Sequence, residues 1–99
     1  MTADERAALE LIQMLAEAEI ETGTPLIRIL KPHATDVMQI WNLQVADVLF
    51  ALADATSCSR LKEGRYRLPA DIDGRAWSFI VEVEPEALVV TLFMRGKRR

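Results

Sequence analysis

The chain has 99 residues, 51% of them hydrophobic, and a formal net charge of -3 at neutral pH. That length fits a single domain over residues 1–99 with a real core, and four prolines and four glycines are too few for a disordered chain. The acidic balance argues against a nucleic-acid binder, one cysteine excludes an internal disulfide, and no apolar run reaches membrane-spanning length.

The charge is uneven. Residues 1–22 hold six acids against one base, Arg6, whereas the last five residues hold four bases and no acid. The opening Met1-Thr2-Ala3-Asp4-Glu5 lacks the positive and apolar stretches of a signal peptide, so a cytoplasmic protein without a membrane partner is expected.

The spacing predicts a first helix that starts at a capping box, Thr2 with Glu5 three residues later. Ala8, Leu11, Leu15 and Ala18 share one face, widened by Leu9, Ala16 and Ile20, and Glu10, Gln13, Glu17 and Glu21 form the wet side. Gly23 is the expected stop. Pro25 to Pro32 has prolines near both ends and a β-branched interior, which reads as a short strand or extended link.

A second helix is expected from about Thr35 or Asp36 to about Thr56. Apolar residues from Val37 and Trp41 to Val45 and Phe50 nearly encircle it, so burial in the core or at an interface is expected. Its polar stripe is Asp36, Asp47 and Asp54. Gln39 and Asn42 fall on the expected core side, either as amides bonded to backbone or as polar spots in a helix-mediated dimer interface.

Ser57-Cys58-Ser59 ends that helix, and a basic stretch follows with Arg60, Lys62, Arg65 and Arg67. Arg65 to Leu68 alternates as a strand, Asp73-Gly74 signals a turn, and Ala76 to Glu82 and Leu88 to Met94 are further strands. Trp77, Phe79, Val81 and Val83 line one face, but Ile80, Val89 and Phe93 put apolar side chains on the other. The predicted class is α+β, in the order α-β-α-β-β-β. Two helices pack on one face of a small three- to four-stranded antiparallel sheet. The second apolar face calls for a second copy or a partner, and a homodimer is expected.

Few chemistries survive. One His and one Cys do not make a zinc site, and Asp71-Ile72-Asp73-Gly74 lacks the remaining ligands of a calcium loop, so no metal is assigned. His33 and Cys58 stand at opposite ends of the expected helix, ~30 Å apart for twenty residues, which rules out a catalytic pair. The isolated glycines give no nucleotide loop, and no cofactor or catalytic residue is assigned. Two charged surfaces remain. One is acidic: Glu10, Glu17 and Glu21 on the first helix, with Asp36, Asp47 and Asp54. The other is basic: Arg65, Arg67, Arg75, Arg95 and Lys97, which converge if the last strand pairs near the first of the three.

"LKEGRYRL" followed by "GRAWSFIVEVEPEALVVTLFMRGKRR" resembles the C-terminal half of RelE/ParE-type toxins: a basic strand, a hydrophobic hairpin and a basic end. That resemblance implies a helical hairpin on an antiparallel sheet and ribosome-dependent mRNA cleavage by Arg65, Arg67, Arg75, Arg95 and Lys97. The chain departs from it by starting with a helix, by its acidity, and by having no Tyr or His after the last strand. In size and acidity the chain also resembles phage-type inhibitors. The expected function is a small non-enzymatic protein–protein interaction module, an inhibitor or adaptor acting by surface occlusion. The alternative is the RelE/ParE-like ribonuclease, with nucleic acid as partner.

Overall fold

Thr2 opens the first helix in both senses of a capping box: its hydroxyl accepts the Glu5 N–H at 3.2 Å, and the Glu5 carboxylate accepts the Thr2 N–H at 2.8 Å. This is helix α1, Ala3–Thr22, in a computed structural model that describes residues 1–29, 33–83 and 88–93, with side chains for 1–29 and 34–83. Gly23 closes α1 at φ 72°, a left-handed cap that glycine adopts without a Cβ clash. The buried stripe of α1 is Ala8, Leu9, Ile12, Ala16 and Glu19, turned from the expected face so that Ile12 is central and Leu11 and Leu15 flank it.

Glu19 explains part of that turn. Its Oε1 accepts the N–H groups of Leu26 and Ile27, both at 2.8 Å. Two backbone donors next to a buried carboxylate satisfy its charge, and they fasten the start of strand β1, Ile27–Ile29, to the end of α1.

The expected second helix is two helices, α2 (His33–Ile40) and α3 (Val45–Ala53). Asn42 takes φ 56°. Its N–H bonds the Gln39 carbonyl, and the Leu43 N–H bonds the Met38 carbonyl. That bond pair is a Schellman ending with Asn in the place usually held by Gly. The polypeptide then restarts: the Asp47 carboxylate accepts the Gln44 N–H at 2.8 Å. The break corrects three expectations. Asp36, Asp47 and Asp54 are not a stripe on one helix. Gln39 and Asn42 are exposed rather than core. The apolar residues do not encircle a buried rod, since Ile40, Val45 and Phe50 are 76%, 48% and 55% exposed.

Four further strands complete a five-stranded sheet: β2 (Ser59–Lys62), β3 (Arg65–Ile72), β4 (Arg75–Val83) and β5 (Leu88–Phe93). The order is β1-β5-β4-β3-β2. β2 through β5 run antiparallel, β3 to β5 as the expected meander, and β1 adds in parallel beside β5, with Ile27 opposite Leu88. β2 was not expected as a strand; all its residues are exposed, so no alternation marks it. Asp73, at φ 53°, and Gly74 make the β3–β4 turn that the Asp-Gly pair predicts.

The fold is α+β, with helices packed on the sheet face that bears Tyr66, Leu68, Ile72, Trp77, Phe79 and Val81. Ile12 and Ala16 of α1 and Val48 and Leu52 of α3 join them in one cluster. Complete burial of Phe79, Leu68, Ile12 and Leu52 contributes about 1.5–3 kcal/mol each. Gln13 Nε2 adds a bond to the Ala55 carbonyl, locking α1 to the end of α3.

Candidate functional site

The packing of α3 over β3 brings together side chains that are remote in sequence. Asp47 and Asp54 come from α3 and its cap, Asp71 and Asp73 from the end of β3 and its turn. All four line one groove of about 560 Å³, whose apolar wall includes Phe50, Ala51, Ala55, Pro69 and Ile72. Four carboxylates and an exposed aromatic ring lining one groove make a negative concavity with apolar residues in its wall, which suits a cationic side chain by charge and by the face of the ring. Among the described residues, no group of three or more His, Cys, Asp or Glu side chains is placed to hold a metal ion.

The other expected acidic residues lie apart. Glu10, Glu17 and Glu21 are exposed along α1, and Asp36 is exposed on α2; none lines the groove. Two of the three residues of the expected acidic stripe, Asp47 and Asp54, therefore belong to a common site, together with Asp71 and Asp73, which the sequence presents only as a turn. Phe50 was expected in a buried helix; the break at Asn42 reorients α3 and leaves the ring outside.

The basic residues divide in the same way. Arg65 and Arg67 do share the face of β3 opposite the core, since Tyr66 and Leu68 between them are buried. Arg65 Nε lies 3.6 Å from Glu82 on β4, a partly exposed pair of the kind that contributes at most about 1 kcal/mol. Lys62 stands opposite Arg65. Arg75 is elsewhere: it pairs with Ile72 at the far end of the hairpin, seven positions along β4 from Glu82, or roughly 23 Å. β4 separates β5 from β3, so the last strand does not bring its end beside Arg65 and Arg67. Arg95 and Lys97 lie outside the described residues.

Arg75 has another role. Its guanidinium carbon lies 4.1 Å from the centroid of the Trp41 ring, and Trp41 meets Trp77 edge to face at 6.1 Å. Sequence reasoning places Trp41 on a helix and Trp77 on a strand, but nothing local couples them with Arg75.

Cys58 is buried, and desolvation pushes its thiol up to about 11, with the Glu5 charge adding to the shift. A thiol that stays protonated at neutral pH is a poor nucleophile. Compared with family models, curated proteins and solved structures, the chain matches none.

Proposed function

We propose that the chain is a small non-enzymatic protein-interaction module, an inhibitor or adaptor that works by occluding a surface, acting as a homodimer in the cytoplasm. The observation that carries this reading is where its apolar surface lies. Among the described residues, half of the eight exposed large hydrophobic side chains, Ile40, Trp41, Val45 and Phe50, fall between residues 40 and 50. Apolar side chains exposed near one another mark interaction surfaces, and Ile40 and Val45 stand on either side of the short α2–α3 turn. These two take the second copy. The groove with Asp47, Asp54, Asp71 and Asp73 repels its own image, so its occupant is a different protein that presents a basic and apolar segment.

No helix among the described residues is long and apolar enough to cross a membrane. The test is selection of peptides from a random display library on the purified protein. Enrichment of sequences with Lys or Arg beside a large apolar residue is expected, with binding lost in an Asp54→Lys/Asp71→Lys variant. Enrichment without basic residues, or undiminished binding by the variant, contradicts the reading.

The basic face of β3 favours a second reading, the RelE/ParE-like ribonuclease, because Lys62, Arg65 and Arg67 are neighbours there. RNA cleavage by the wild type that disappears in Arg65→Ala/Arg67→Ala would bring it forward.

A further inference from the structure

A smaller pocket of about 220 Å³, which shares Ile72 and Asp73 with the acidic groove, is walled by Trp41, Leu43, Ile72, Asp73, Arg75 and Trp77. Two of its walls, Trp77 and Arg75, carry hydrogen-bond donors. Trp77 is 3% exposed, and its Nε1 is buried with no hydrogen-bond partner among the described residues. A buried indole N–H ordinarily finds an acceptor. Arg75 is held by stacking over Trp41, and neither described ion pair includes it. A guanidinium seated over a ring face can still offer N–H groups to a ligand beside the ring.

We propose that this pocket binds a carboxylate, one oxygen accepting the Trp77 Nε1–H and the other accepting from the Arg75 guanidinium. Two donors and one positive charge match a planar monoanion. Asp73 is exposed on the rim and carries a like charge, which selects a singly charged group over a phosphate dianion. The apolar sides, Leu43 and Ile72, accommodate the short carbon chain of a small free acid or of a glutamate side chain. Acetyl-glutamate-amide and acetate are the probes that separate these two sources.

The inference stands apart from the protein-interaction reading, because a small probe tests it without a partner. The chain has two tryptophans, hence two indole N–H resonances in a nitrogen–proton correlation spectrum, assigned with Trp41→Phe. At neutral pH and constant ionic strength, acetate is expected to move the Trp77 resonance saturably. Phosphate should act more weakly, and Arg75→Gln should weaken acetate binding about tenfold. Tighter binding of acetyl-glutamate-amide than of acetate supports a protein side chain as the natural ligand; the reverse supports a free acid. A Trp77 resonance that ignores both probes means that its N–H is spent on the Trp41 ring, and overturns the proposal. Equal binding by Arg75→Gln, or preference for phosphate, overturns it as well.

Discussion

The carboxylate of Glu5 joins the start of the chain to its sheet. One oxygen accepts the Thr2 N–H and the other the Arg60 N–H, each at 2.8 Å. Arg60 belongs to the edge strand β2, so Glu5 also occupies a donor on an otherwise open edge. Both bonds favour the ionised form and hold the Glu5 pKa below the ordinary 4.5, the Thr2 bond first and the Arg60 bond second. The sign follows from linkage. A carboxyl whose folded pKa is depressed stabilises the fold above its ordinary value, and that stabilisation is lost as pH falls through the folded pKa. The Glu5 side-chain carbonyl resonance should therefore titrate with a midpoint below 4.5, and Glu5→Gln should flatten the loss of stability in that acidic window. A midpoint at or above 4.5 contradicts the two-bond account. The sequence showed the Thr2 half of this arrangement, because a capping box is local. It did not show the Arg60 half, which depends on a contact across the fold.

The break between α2 and α3 decides the shape of the candidate site. It rests on Asn42, which holds φ 56° and ends α2 through the paired bonds to Gln39 and Met38. A side chain with a Cβ costs roughly 1–2 kcal/mol in that conformation, less for Asn, and nothing comparable for Gly. Asn42→Ala is accordingly expected to lower the unfolding free energy by about 1 kcal/mol in urea titration, while Asn42→Gly preserves or raises it. An alanine variant as stable as the wild type would show that the left-handed residue does not set the break. The break has no glycine or proline to signal it in the sequence. Periodicity from Val37 to Ala53 runs on, so one long helix was the local inference. Gln-Ile-Trp-Asn-Leu contains a helix ending only for a reader who knows that Asn42 is left-handed. By contrast, the meander from β3 to β5 was legible, because alternation around Trp77, Phe79 and Val81 and the Asp73-Gly74 turn are both local signals. The parallel pairing of β1 with β5 was not, since no short-range pattern encodes it.

For the molecule as a whole, the fold sorts charge and apolar surface that the sequence leaves mixed. Helices cover one face of the sheet, and the opposite face carries Arg65 and Arg67 of β3. Phe50 shares one groove with the carboxylates of Asp47, Asp54, Asp71 and Asp73, and Ile40 and Val45 are exposed on either side of the α2–α3 turn. The expectation of a binding module rested on the missing catalytic constellation and on the apolar faces of the second helix and the sheet. The groove was half legible: Asp47 and Asp54 stand out in sequence, but Asp71 and Asp73 reach them only through the packing of α3 on β3. The proposed function depends most on the α2–α3 turn being a contact surface. Sedimentation velocity at micromolar concentration tests that on the protein alone. The account predicts that the wild type sediments as a species of twice the 11.2 kDa chain mass, and that Ile40→Glu/Val45→Glu sediments as a folded monomer. A wild type that remains an 11.2 kDa monomer, or a double variant that still dimerises, would contradict it.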